Sequence, residues 1–148
     1  MTNFKLLTVF ALAAFTACTD DETDQRAEFL GSWAYESGQF ELDCGGQLMQ
    51  FAVDSSLVET FELGTATDLA KSDSGGCTGI TFDVAGATAS LAPSPQSCAI
   101  PNMGTSTASA YAITLGDDGK LTTASSGTFA PPQGPPCTFA GAGTLVRP

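Results

Sequence analysis

The chain has 148 residues, with 16 acidic side chains against 5 basic ones, no histidine and a net charge of −11. That length fits one domain, and the apolar share of 43% is enough to build a core. The charge balance argues against nucleic acid as a partner, because binding phosphates needs clustered lysine and arginine. The lack of histidine removes the usual base of serine and cysteine hydrolases.

Residues 1–17 have the pattern of a secretory signal peptide. Lys5 precedes an apolar run, Leu6 to Phe15, which small residues follow. The run is about ten residues long, whereas a spanning helix needs roughly 20, so we expect cleavage. Phe15-Thr16-Ala17-Cys18 resembles the lipobox of bacterial lipoproteins. An ordinary export signal, cut after Ala13, is the alternative and would leave Cys18 as a free thiol.

The lipobox resemblance implies that Cys18 becomes the first mature residue and carries acyl chains that anchor the protein in a membrane. The polar, acidic segment 18–28 then predicts a flexible tether, and residues 29–148 a single domain. In proteobacterial lipoproteins an aspartate after the lipidated cysteine favours the inner membrane. Thr19 stands there in this chain, so the resemblance implies the outer membrane of a bacterial envelope and leaves open which face.

Four cysteines remain after Cys18, namely Cys44, Cys77, Cys98 and Cys137. An even number in an oxidising compartment favours two disulfides, for which three connectivities exist. We expect the sequential pairing of Cys44 with Cys77 and of Cys98 with Cys137. The chain has no C-x-x-C pair, no histidine and no D-x-D-x-D-G spacing, so we expect neither a metal nor a cofactor.

From Phe29 onward apolar and polar residues alternate, and glycine, aspartate, serine and proline recur at short intervals. Asp118-Gly119 is the strongest hairpin signal, and the proline-rich segments 93–101 and 131–136 are expected to be loops. About eight to ten short strands predict an all-β, disulfide-bonded fold, either an antiparallel up-and-down barrel or a sandwich. The candidate strands are 30–36, 39–43, 47–53, 56–63, 80–84, 88–91, 111–115, 120–124, 128–129 and 138–146.

Gly31-Ser32-Trp33, at the start of the first strand, resembles the G-x-W signature of the lipocalins and related barrels. In that superfamily the tryptophan plugs the closed end of the barrel, and a basic residue near the end of the last strand packs over it. The resemblance implies that Arg147 takes this role. Its guanidinium over the indole would be a cation–π contact of roughly 0.5 to 2 kcal/mol.

Two segments carry side chains with possible chemistry. Glu59 lies between Leu57 and Phe61 on the apolar face of its strand, where burial would make it a candidate acid or ligand group. The alternative is an edge strand with Glu59 in solvent. The segment 72–76 is similar to the nucleophile loop of trypsin-like proteases, but without a histidine base it indicates a turn. The residues that we expect around a ligand are Phe51, Glu59, Phe61, Phe82, Tyr111 and Phe139.

Together these features predict an envelope lipoprotein without catalytic activity, which binds a small apolar ligand or docks an envelope partner. A structural lipoprotein with a filled interior is the alternative, and a hydrolase built on carboxylates is a remote one. A cavity of roughly 300 Å³ or more would favour ligand binding. In a domain of this size a filled core is the commoner outcome, and it is the one we expect.

Overall fold

The computed structural model describes residues 24–72, 77 and 79–148. The predicted signal peptide, Cys18, the tether up to residue 23 and residues 73–76 of the predicted turn lie outside the described residues. A 3₁₀ helix, Gln25–Glu28, precedes ten strands. No helix in the described ranges is long and apolar enough to cross a membrane. The strands are β1 (Gly31–Asp43), β2 (Leu48–Ala52), β3 (Val58–Leu63), β4 (Leu69–Lys71), β5 (Ile80–Ala85), β6 (Thr88–Leu91), β7 (Gln96–Ile100), β8 (Gly104–Leu115), β9 (Leu121–Ala130) and β10 (Cys137–Val146).

The strands form one closed antiparallel barrel with up-and-down connections. β2 and β3 both pair with β1, and β6 and β7 both pair with β8, so that ten strands fill eight positions. The barrel closes where β10 pairs with β1, from Ala34 opposite Val146 to Asp43 opposite Thr138. The predicted all-β, disulfide-bonded fold is confirmed, and of the two architectures the chain adopts the barrel.

The strand boundaries differ from the prediction where the ladder is irregular. The predicted strands 30–36 and 39–43 form one strand, β1. The register shifts within it between Tyr35 and Ser37, so that the residues that point inward are odd-numbered before the shift and even-numbered after it. A similar shift interrupts β8 between Ala108 and Ala110. The loop predicted over 93–101 was wrong in part, because its prolines flank β7 and leave every residue of that strand able to pair.

The half of the barrel that contains the start of β1 is closed by a filled core. Its eight largest fully buried side chains come from the segment before β1 and from seven of the strands. Trp33 lies at its centre, and its Nε1 donates a hydrogen bond to the Phe29 carbonyl at 2.9 Å. Phe61 and Phe82 belong to this core, although we expected them around a ligand. The full set is Trp33, Phe29, Phe61, Phe82, Leu69, Ile113, Leu121 and Leu145.

Arg147 covers the closed end. Its guanidinium carbon lies 4.3 Å from the centre of the Trp33 ring, and its two terminal nitrogens donate to the carbonyls of Leu30 and Glu28 at 2.9 and 3.0 Å. Gly31 has a φ of +100°, and a Cβ there would lie 3.2 Å from Arg147 Nη1. Residues 25–28 of the predicted tether form the 3₁₀ helix instead, and Arg147 binds the end of this helix and the residue before β1.

The disulfides join Cys44 to Cys137 and Cys77 to Cys98. The sequential pairing that we expected was wrong, because β10 lies beside β1 and brings Cys137 next to Cys44, directly after the pair Asp43 and Thr138. Cys44 and Cys137 are 93 residues apart, and closing a loop of that length stabilises the fold by roughly 4 to 5 kcal/mol in the chain-entropy estimate. Both bridges lie in the half of the barrel opposite Trp33.

We expect Arg147→Ala to lower the free energy of unfolding by about 1 to 2 kcal/mol, because it removes the cation–π contact and two hydrogen bonds. Emission from Trp33, the single tryptophan, should shift to longer wavelength as water reaches the indole. Arg147→Lys should recover part of the loss, because an ammonium lacks a planar face. Denaturant titration followed by tryptophan fluorescence measures both quantities.

Arg26→Ala is the matched control for this experiment. It removes the same charge at the same end of the barrel, where Arg26 forms an exposed ion pair with Asp24 at 2.7 Å. It should change neither the unfolding midpoint nor the emission. If Arg147→Ala behaves like this control, Arg147 does not help to close the barrel.

Candidate functional site

A cavity of about 770 Å³ occupies the open half of the barrel, opposite the end that Arg147 covers. Its walls include the apolar side chains Phe40, Val53 and Leu57, and Val58 lines it next to Glu59 with its side chain on the outer face of β3. Tyr35, Glu59, Lys71 and Tyr111 contribute polar atoms deeper in the barrel, and we call these four residues the polar floor. The remaining lining residues are Ala52, Asp54, Ser56 and Ser125.

The cavity exists because β9 and β10 carry small residues on their inner face. A Cβ at Gly143 would lie 2.6 Å from Cε1 of Tyr35, and a Cβ at Gly141 would lie 3.3 Å from Cδ2 of Phe40. The rings of these β1 residues therefore lie against the backbone of β10. Side chains at the two glycines would occupy that space and push the rings toward the middle of the barrel.

Glu59 is the centre of the polar floor and is only 6% exposed. Tyr35 donates its hydroxyl to Oε1 and Tyr111 donates its hydroxyl to Oε2, both at 2.7 Å. The Lys71 Nζ lies 3.1 Å from Oε1 and 5.7 Å from the centre of the Tyr111 ring. Within the described residues every buried side-chain nitrogen or oxygen has a hydrogen-bond partner.

The polar floor rests directly on the closed-end core. Glu59 of β3 is opposite Trp33 of β1 in the register, and Lys71 of β4 is opposite Phe61 of β3. The Tyr111 ring meets the Phe82 ring edge-on, with 5.2 Å between ring centres. Contact with packed aromatic rings restricts the movement of these polar groups. Removing one partner of such a buried ion pair typically costs about 3 to 5 kcal/mol.

Both tyrosines of the floor resist ionisation. Burial is the main cause that raises the pKa of Tyr35 above its usual value near 10, and the negative charge of Glu59 is the second. The same two causes, in the same order, raise the pKa of Tyr111 well above that value. Both hydroxyls therefore stay protonated at neutral pH and act as donors to Glu59.

The structure separates the side chains that we expected around a ligand. Glu59 and Tyr111 line the cavity, so Glu59 adopts the buried position rather than the solvated alternative. Phe139 stacks on Phe40 with 5.6 Å between ring centres, and Phe51, opposite Phe40 in the register, is 49% exposed. Phe61 and Phe82 lie beneath the floor, in the core.

Sequence reasoning found Glu59 and Tyr111 and missed the other ten lining residues, among them Tyr35, Phe40 and Lys71. Strand alternation from the inward-pointing Trp33 places Tyr35 inward as well. The same alternation places Phe40 outward, because it takes no account of the register shift that precedes Phe40. Lys71 lies on a strand of only three residues, which is too short for alternation to reveal. The predicted turn at 72–76 follows Lys71, and most of it lies outside the described residues.

We expect the two tyrosines to stay protonated in the folded protein well above pH 10. They are the chain's only tyrosines, so the near-ultraviolet absorbance of tyrosinate reports on these two groups alone. Folding raises the pKa values of both tyrosines. Their protonated hydroxyls therefore contribute fully to the free energy of unfolding below about pH 10, and this contribution is lost as the pH rises toward the pKa values of the folded protein. The free energy of unfolding should fall by up to about 1.4 kcal/mol per pH unit for each tyrosine.

The same titration in denaturant is the control, and both tyrosines should then ionise near about pH 10. Tyr35→Phe should remove one of the two late transitions, and Glu59→Gln should lower both pKa values by removing the carboxylate charge. Ionisation of either tyrosine near pH 10 in the folded wild type would contradict the buried network.

In the part of the chain that the structure describes, no group of three or more cysteine, aspartate or glutamate residues is arranged to hold a metal ion. The chain matches no protein-family model, no curated protein and no solved structure among those compared. What the site can do is therefore set by its own geometry, an apolar cup above a buried glutamate with two tyrosines and a lysine.

Proposed function

We propose that the barrel is the ligand-binding domain of a membrane-anchored bacterial lipoprotein and takes up a small, mostly apolar molecule through its open end. The cavity carries this proposal. Its volume of about 770 Å³ falls in the range of roughly 300 to 1,000 Å³ that is typical of small-molecule sites. Apolar walls with a few fixed polar groups are also typical of such sites.

The rim of the cavity supports uptake from solvent. Leu57 lines the cavity and is 50% exposed. A ligand in the cup would cover part of this surface, at about 25 cal/mol for each Å² of apolar area removed from water. A structural lipoprotein accounts for the filled closed half, but it gives no reason for an open apolar cup above it.

A role without catalysis fits the way in which Glu59 is held. Its oxygens already accept from two tyrosines and face a lysine, an arrangement suited to fixed hydrogen bonding rather than to proton transfer. Glu62, three residues along β3, is exposed on the other face of the strand, so the two carboxylates do not form the pair that glycoside hydrolysis uses.

The anchor and the open end lie on opposite sides of the domain in this proposal. The described chain begins at Asp24, beside the closed end. Five residues, 19 to 23, separate Asp24 from Cys18, and the six steps between them reach at most about 22 Å when fully extended. The closed end therefore faces the membrane and the cavity opens away from it.

We expect labelled fatty acid to enter the wild-type protein and not Cys18→Ala, because the acyl chains attach through this thiol. Gel analysis of radiolabelled cells measures the incorporation. Cys44→Ala, which also removes one cysteine, should still be labelled. Equal incorporation into wild type and Cys18→Ala would overturn the lipidation and leave the cavity unaffected.

We expect Ser125→Phe to weaken binding of a neutral apolar fluorophore, N-phenyl-1-naphthylamine, by about tenfold or more, which is about 1.4 kcal/mol. The new ring would fill space that Ser125 leaves open in the cavity. Fluorescence enhancement on titration measures the affinity. The same titration of wild type should saturate at one molecule per barrel.

Thr128→Phe is the matched control, because Thr128 lies three residues further along β9, is exposed and points away from the barrel interior. It should bind the fluorophore as wild type does. Equal affinity in all three proteins, or no binding to wild type, would refute the proposed ligand site.

A further inference from the structure

We propose that the ligand carries a cationic amine next to its apolar part, so that the cavity selects organic ammonium ions; this rests on the proposed function. The charges that line the cavity point to it. Asp54 and Glu59 contribute carboxylates, against the ammonium of Lys71. The described lining is therefore negative, and an added cation would balance it.

The hydrogen-bonding groups of the floor favour a donor over an acceptor. Both tyrosine hydroxyl protons are committed to Glu59, so the tyrosine oxygens remain as acceptors. A carboxylate can accept about four hydrogen bonds, and Glu59 accepts one from each tyrosine and pairs with the Lys71 ammonium. A carboxylate or phosphate of a ligand would face these acceptors, and the one cationic group of the described lining, Lys71, is already paired with Glu59.

Lys71 shows how the site holds an ammonium. Its Nζ lies 3.1 Å from the Glu59 carboxylate and 5.7 Å from the centre of the Tyr111 ring, which combines an ion pair with a cation–π contact. The rings of Tyr35 and Phe40 also line the cavity, so a second ammonium entering from the mouth meets the same kinds of group. The net charge of −11 adds a field that draws cations toward the protein.

Three amphiphiles with the same alkyl chain and different head groups test this inference, namely decylamine, decanol and decanoate at pH 7. Displacement of N-phenyl-1-naphthylamine from the wild-type protein measures the affinity of each, below the micelle concentrations of the two ions and the solubility limit of decanol. We expect decylammonium to bind about tenfold more tightly than decanoate or better, with decanol between them. Equal affinities, or tighter binding of decanoate, would overturn the inference and leave the ligand-binding function standing. If none of the three displaces the fluorophore, both proposals fail.

Substitution of single carboxylates tests which residue produces the preference for decylammonium. Asp54→Asn should weaken decylammonium severalfold and leave decanol unchanged, because Asp54 lies at the cavity and its main-chain and side-chain contacts with Ser56 hold its pKa below the usual value. Asp83→Asn is the matched control, since it removes the same charge from an exposed position on β5. It should change neither affinity. An equal effect of the two variants would assign the selectivity to the overall charge and overturn the inference.

Two further variants test the floor and exclude adsorption to the outer surface. The double variant Glu59→Gln with Lys71→Met removes both charges of the buried pair together, and it should reduce the preference for decylammonium to the part that Asp54 supplies. Ser125→Phe should lose binding of all three amphiphiles. If Ser125→Phe binds decylammonium as tightly as wild type, the amine binds outside the cavity and the inference is wrong.

Discussion

The interior of an eight-stranded barrel is just wide enough for side chains to fill, so the size of the inward residues at each level decides whether that level is core or cavity. At the closed end the inward residues are large, and Trp33, Phe61 and Phe82 leave no space. Toward the other end β9 and β10 present serine and glycine, and the rings of β1 lie flat against Gly141 and Gly143. The cup follows from this change of side-chain size along two strands, at the level where the register of β1 and of β8 shifts.

The polar floor lies where the two levels meet, and stability alone does not account for it. Burying a carboxylate and an ammonium costs several kcal/mol for each ion, and a well-packed apolar layer of similar volume is often at least as stabilising. The two tyrosine hydroxyls and the close lysine offset part of that cost. The proposed recognition of a ligand would account for the ionisable groups of the polar floor, which lies between the core and the cavity.

Alternation along the chain predicts the barrel well and the site only in part. It locates most strands, places Glu59 on an inward face and finds the Asp118-Gly119 turn between β8 and β9. It fails at register shifts, because an extra residue reverses the inward phase, as it does before Phe40. It also fails for β4, whose three residues are too few to show a period, so that Lys71 was missed. The disulfide pairing depends on which strands become neighbours on closure, and β10 beside β1 is a long-range outcome that local spacing does not encode.

The two halves of the barrel are stabilised by different means, and this is what allows a domain of this size to keep an open cup. The closed half has the buried aromatic residues and the contact of Arg147 with Trp33. The open half contributes less buried apolar surface, and it contains both disulfides. A cross-link typically contributes about 2 to 4 kcal/mol by restricting the unfolded chain, which does not require a filled interior. Covalent bonds thus stabilise the half in which packing is weakest, and the proposed export to an oxidising compartment would allow them to form readily. The small inward residues of the open half leave a cavity there, and the two disulfides replace the stability that a packed interior would supply. Both features lie at the end of the barrel that faces away from the proposed anchor.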